Sequence, residues 1–421
     1  MKRPVKWTLV FLAAFLGLAG TILGPALLRA RAVLQEQMKD AESILSTFLP
    51  ETTSRPAIFD PEEPGNAWEL ENAAFRDLDP DSPWDPDMHN DNRHMFVGAE
   101  SFSELPEDQD VVKLEPFIEV FRLALRRRNV IPAKRPGLFA AHSVQEIAGR
   151  LVASAQTLHR DGKDLQAAER LVMAVGLIQD VARHGDYAHL DALLYVEHRS
   201  ASVAWEILSA HSLSATDLET WAKWMDRLQS ARPSLARIIS VDAALSRKDV
   251  LEEFANVARY PSNPGPDLTA TWRDLWSKSL LKSHRVLAIN RAARDLTERA
   301  GRPPWLMGPQ EDFQADEWSL EVPDARLLEV NAASLLYLLL WRVSIALAWY
   351  ESERGEYPKL LTQLSPRYLP QEPVSPRTGK ALEYQTGSVG SDPGPGDTEK
   401  VTVVGGLNPD LFHWKVGRKP Q

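Results

Sequence analysis

The chain has 421 residues, 44% apolar and 25% charged, with a net charge of −10; that length accommodates two or three domains with a sizeable core. It contains no cysteine, which excludes disulfides, Cys-ligated zinc, iron–sulfur clusters and thiol nucleophiles. The negative charge is local: residues 51–110 hold 17 Asp/Glu against 3 Lys/Arg, a balance of −14 that leaves +4 for the rest. The densest basic cluster is Arg126–Arg128, too short a stripe to track a nucleic acid, so no nucleic-acid partner is expected.

The first element is "MKRPVKWTLVFLAAFLGLAGTILGPALLRARA". Lys2, Arg3 and Lys6 precede an uncharged run of 22 residues from Trp7 to Leu28. As a helix that run spans roughly 33 Å, enough for the hydrocarbon core of a bilayer. The expectation is a single-pass anchor in a bacterial inner membrane, residues 7–28 in the membrane. The leading cations place the N-terminus in the cytoplasm and the main domain in the periplasm, although Arg29 and Arg31 flank the other side. Gly17-Leu18-Ala19 and Gly24-Pro25-Ala26 also offer small residues for signal-peptidase cleavage; the length of the run favours an uncleaved anchor. Val33, Leu34, Met38, Ala41, Ile44, Leu45 and Phe48 then recur at three and four residues, so the helix extends amphipathically to about Leu49, before Pro50. Residues 1–49 form the anchor region.

Residues 50–110 are acidic and rich in proline, and read as a mostly irregular linker. Asp77, Asp79 and Asp81 mimic the first oxygen ligands of a calcium loop. The Gly and Glu that such a loop needs at its sixth and twelfth positions are missing, so these three are weak metal candidates within a solvated segment.

Residues 111–322 read as successive amphipathic helices, with clear ones at Ser143–His159, Leu165–Arg183, Leu190–Ala210, Leu218–Gln229, Leu235–Tyr260 and Leu268–Glu298. Ser143 and Ser214 or Thr216 stand as local caps. The fold class is mainly α: an N-terminal transmembrane helix, an antiparallel, solenoid-like helical array, then a long C-terminal core helix with a small β-rich tail. "GKDLQAAERLVMAVGLIQDVARHGD" resembles a tetratricopeptide-type helix pair at Gly162 and Ala167, without a second copy 34 residues away. His159, His184, His189, His198 and His211 form no HExxH. Trp205, Trp221, Trp224, Trp272 and Trp276 recur at helical spacing, as core residues do.

Residues 323–421 open with a long apolar helix over Val330–Tyr350. Arg342 at its centre costs about 2.5–3.5 kcal/mol on insertion scales, so a buried core helix is expected over a second membrane span. "RGEYPKLLTQLSPRYLPQEP" follows. Gly355 can take the left-handed cap that ends the helix, and Pro358 blocks its continuation. Tyr357 is expected to lay its ring on the helix with its hydroxyl in water. Leu361, Leu364 and Tyr368 form an apolar face that folds back. Thr378-Gly379 is a turn before a strand at Leu382–Gln385, with further strands at Val401–Val404 and Leu411–Val416.

The segment from this helix to Tyr384 resembles the helix-to-loop region of the major pseudopilin of type II secretion systems. It resembles more closely the tails of uncharacterised membrane-anchored bacterial proteins with helical middles. The shared positions are Gly355, Tyr357, Pro358, Leu361, Leu364, Tyr368, Leu369, Pro370, Pro376, Gly379 and Tyr384. The chain departs from pseudopilins at its N-terminus, which lacks their processing motif. Their calcium loop has a loose counterpart in Asp392 and Asp397, so calcium is the one cofactor the resemblance raises.

GxSxG, GxxxxGK, GxGxxG after a strand and HExxH are all missing. The chain reads as a non-enzymatic, membrane-anchored extracytoplasmic scaffold that contacts other proteins. Two alternatives stay open: an extracytoplasmic hydrolase with an unrecognised site, and an accessory component of a type II secretion or pilus-like system.

Overall fold

The computed structural model describes residues 54–78, 114–131, 138–184, 187–244, 293–302, 326–385, 388–390 and 413–415, with 29, 32–33 and 35–43 near the N-terminus. The apolar run 7–28 lies outside the described residues, as do Asp79, Asp81, Asp392, Asp397, Val401–Val404, Trp272 and Trp276. The chain divides into two compact units. One comprises residues 1–48, 240–296 and 312–323; its described residues are helical. The other comprises 49–239, 297–311 and 324–421 and carries every element named below.

The described residues are mainly helical. In chain order the second unit holds β1 (Glu63–Asn66), α1 (Ala67–Leu78), α2 (Ile118–Arg126), β2 (Arg127–Asn129), α3 (Leu138–Arg160), α4 (Asp164–His184), α5 (Tyr187–Ser209), α6 (Ala215–Ala231), α7 (Arg326–Arg354), and β3 (Glu383–Gln385), β4 (Ser388–Gly390) and β5 (His413–Lys415). β1 and β2 pair in parallel, while β3, β4 and β5 form an antiparallel sheet in that order.

The centre is α4. Of its 21 residues, 18 are buried, the pattern of a helix enclosed on all sides. The turn 161–163 folds α3 back against it, and Gly162 sits there with φ +73°. α3 packs on α4 and α5, and α4 packs on α5 and α6, the neighbour pattern of stacked helical hairpins. Direct contact between α5 and α6 is slight; α7 packs on both instead. The long helix thus enters the array as a wedge. α7 is long and apolar enough to cross a membrane, yet its apolar stretch is almost wholly buried within the fold. Arg342 meets Asp226 of α6 through two bonds of 2.6 and 3.0 Å. Trp221 of α6 and Trp341 of α7 are both fully buried and meet edge to face, centroids 6.1 Å apart, as aromatic pairs prefer.

Local starts differ from the expected ones in one case. Ser214 caps α6 through a capping box with Asp217, whereas α3 begins at Leu138 and leaves Ser143 as a buried interior residue.

Of the acidic segment, residues 54–78 depart from the irregular linker read from composition. Residues 54–66, here termed the strap, lie along α2 and β2: the Arg55 amide donates to Arg128 O at 2.9 Å and the Ile58 amide to Leu125 O at 2.8 Å. α1 continues the strap and packs on α2 and α3. Ile58, Phe59, Trp68, Ala74 and Phe75 are buried. Their apolar surface, at about 25 cal/mol per Å², offsets the entropy of ordering the segment, while the acids Asp60, Glu69 and Asp77 stay on its exposed side.

Candidate functional site

Two buried polar clusters meet on α4, whose adjacent residues Gln179 and Asp180 each reach one of them. In the first, Arg55 of the strap enters the core. Its Nε lies 2.6 and 2.9 Å from the two Asp180 oxygens, and Nη2 lies 2.5 Å from Oδ2. Nη1 donates to Arg127 O at 2.8 Å. Both side chains of this ion pair are fully shielded from solvent. Burial opposes the Arg55 charge, but Asp180 outweighs it and the Arg55 pKa is raised. Arg183, one turn on, donates to Ala231 O at the C-terminus of α6, where the helix dipole is negative.

Glu71 of α1 completes this cluster with no exposed surface. Neither of its oxygens receives a hydrogen bond from a donor, while its carboxyl faces that of Asp180. Two carboxyl groups are both acceptors until one carries a proton. Two Arg55 donor groups, Nε and Nη2, are directed at Asp180 and none at Glu71, so of the two it is Glu71 whose ionised form would lack a donor. Burial, and then the Asp180 charge, raise the Glu71 pKa well above the usual carboxylate range. Beside the pair, His184 lies edge-on to Trp68 and donates from Nε2 to Val130 O at 2.8 Å. Burial lowers its pKa to about 4.

The second cluster centres on Glu197 of α5. Arg232, just past α6, donates to its two oxygens at 2.9 and 3.1 Å and to Asn331 Oδ1 of α7 at 2.8 Å. Gln179 approaches Oε1 at 3.4 Å, and Ser334 of α7 donates to Oε2. Four elements are tied by one carboxylate.

The C-terminal corner is built on Glu353 of α7, which accepts from Tyr368 Oη at 2.7 Å, Arg367 Nη2 at 2.7 Å and Trp349 Nε1 at 3.1 Å. Gly355 ends α7 with φ +75°, and its amide donates to Glu351 O at 2.7 Å; only glycine adopts that conformation without strain. Pro358 is buried, and its carbonyl accepts from Tyr384 Oη at 2.6 Å. Leu361, Leu364 and Tyr368 are buried, the Tyr368 ring lying 5.0 Å from that of Trp349. Pro370 is exposed. Tyr357 differs from its expected placement: its hydroxyl oxygen is buried rather than in water.

The remaining sequence candidates stay apart. Asp77 is exposed near the end of α1, and among the described residues no three His, Asp or Glu side chains gather as metal ligands would. His159 Nδ1 lies 2.6 Å from Asp164, whose other oxygen accepts from Ser212. That order of contacts makes no nucleophile, because the serine bonds to the acid and not to the imidazole. It joins the α3–α4 turn to the start of the loop before α6.

Sequence reading missed Arg55, Glu71, Asp180, Glu197, Arg232 and Asn331. One signal was present: Gln179-Asp180 interrupts the otherwise apolar Leu171–Ala182 run, at positions an enclosed helix can only bury. What these clusters do chemically is to pair charges inside the fold. No protein-family model matches the chain, and neither a curated protein nor a solved structure matches it.

Proposed function

We propose that the protein is a membrane-anchored extracytoplasmic scaffold, held at a bacterial inner membrane by residues 7–28 and offering its helical array to protein partners. The observation that carries this reading is the uncharged 22-residue run from Trp7 to Leu28 behind Lys2, Arg3 and Lys6, a length suited to the bilayer. The helical unit supports it in a second way. Its buried carboxylates, Asp180 and Glu197, face arginines of other elements, an arrangement that stiffens a platform. Cell fractionation tests the reading: the full-length protein stays with membranes after alkaline extraction, and protease added to spheroplasts degrades the helical unit. A freely soluble protein, or one protected from added protease, refutes it.

The corner at Gly355, Tyr357 and Pro358, with its likeness to pseudopilin tails, favours a second reading as an accessory component of a type II secretion-like machine. In-cell crosslinking of the full-length protein to subunits of such a machine tests it; crosslinks confined to unrelated proteins count against it.

A further inference from the structure

Four ionisable side chains converge where the strap meets α4: Arg55, Glu71, Asp180 and Arg183, all buried. Donors are unequally shared among them. Arg55 donates to Asp180, Pro56 O and Arg127 O, and Arg183 gives one bond to Ala231 O. Glu71 receives none. An ionised carboxylate without donors in such a place carries a desolvation penalty of several kcal/mol, whereas the acid form satisfies itself by donating to Asp180. We propose that Glu71 and Asp180 share one proton that latches the strap onto α4, so that the strap is held firmly in acid and loosened in alkali.

The surroundings favour this over a simple four-charge balance. The charged groups acting on Glu71 are Asp180 and Arg183 of α4 and Arg55 of the strap. Arg183 already faces the negative end of α6, and its Nε stands 4.0 Å from Asp180. His184, the other titratable group of α4 at this place, is neutral above pH 4. The direction follows from linkage. The acid holds its proton more tightly folded than unfolded, so stability falls as pH rises past the ordinary carboxylate range, until Glu71 ionises in the folded state. The strap and α1 loosen first, because Arg55 of the strap and Glu71 of α1 both meet Asp180 of α4. This latch is independent of where the protein resides and of its partners.

Glu71→Gln supplies the test, since the amide keeps a donor for Asp180 and cannot titrate. Hydrogen exchange of the Arg55 and Ile58 amides is measured on the full-length protein in detergent from pH 6.5 to 9, after correction for intrinsic rates. In the wild type, protection falls with pH by up to tenfold per unit; in Glu71→Gln it stays level. Level or parallel profiles in both proteins overturn the latch. Should the variant fail to fold, infrared spectroscopy of the wild type decides. A protonated-carboxyl stretching band is present at pH 7.5 and vanishes on unfolding, and its absence from the folded protein overturns the proposal.

Discussion

Replacing Arg55 by methionine is the sharpest test of whether the strap belongs to the core. The exchange keeps much of the aliphatic bulk and removes three approaches to Asp180, at 2.6, 2.9 and 2.5 Å, together with the bond to Arg127 O. Breaking a fully shielded ion pair from one side costs about 3–5 kcal/mol, because the remaining charge has no water to turn to. The orphaned carbonyl adds about 1 kcal/mol. The expected loss is therefore about 4–6 kcal/mol, a large part of the ~5–15 kcal/mol that holds a typical domain together. Adding Asp180→Asn to Arg55→Met neutralises the stranded charge and returns about 2 kcal/mol, so the two substitutions are non-additive. Urea unfolding of the full-length protein in mild detergent, followed by tryptophan emission from Trp68, Trp221 and Trp341, gives the four corners of the cycle. Limited proteolysis supplies an independent readout, since loss of the tie exposes residues 54–66 before the helices unfold. A cost under about 1 kcal/mol for Arg55→Met, or strict additivity with Asp180→Asn, refutes the reasoning and returns the segment to the status of a linker.

Three further outcomes are expected. Gly176 lets the strap approach α4 closely: a Cβ there meets Leu125 Cδ2 at 2.9 Å and Ile58 Cδ1 at 3.0 Å. Gly176→Ala gains about 1 kcal/mol of helix propensity but loses about 1–3 kcal/mol to overpacking, so its denaturation midpoint falls slightly and that of Gly176→Val falls steeply. His184 has its pKa lowered to about 4 by burial, so the unfolded chain takes up its proton first as pH falls through the ordinary histidine value. Its contribution is complete above pH 6.5 and is lost towards pH 4, about 3 kcal/mol in all; urea midpoints at pH 7 and 4.5 show the loss, and His184→Gln flattens it. Tyr368→Phe removes the 2.7 Å bond to Glu353 and costs about 1 kcal/mol. The Tyr368 hydroxyl is the main cause that holds the Glu353 pKa below its ordinary value, so NMR titration finds it raised in the variant.

Features set by neighbours in sequence were legible, and those set by distant partners were not. Gly355 and Pro358 act within one turn of α7, and Ser214 with Asp217 acts over three residues; such signals depend on backbone chemistry alone. Arg342 was legible only as an obstacle to a membrane span. Its partner Asp226 stands 116 residues away, and no periodicity encodes that pairing. The strap was misread for a compositional reason. Across the strap and α1 the acids Asp60, Glu69 and Asp77 fall on the exposed side and the few large apolar residues, Ile58, Phe59, Trp68 and Phe75, on the other, so averaging over the segment hides a buried face. The same averaging concealed Glu71, the one acid of α1 that points inward.

α4 gives the buried polar residues a purpose that its apolar ones cannot serve. A helix enclosed on all sides has no amphipathic stripe to fix its rotation, because turning it exchanges one apolar contact for another of similar worth. A misplaced Asp180 or Gln179, by contrast, strands a desolvated polar group at a cost of about 1–3 kcal/mol or more. Asp180 faces Arg55 from one side, and Gln179 faces Glu197 from another. The two contacts together set the angle of α4 about its own axis. Glu197 in turn positions α7 through Ser334 and, by way of Arg232, through Asn331. These ties are weak sources of net stability but discriminate strongly between registers. That is the property a helical array needs if its packing is to be the same in every copy.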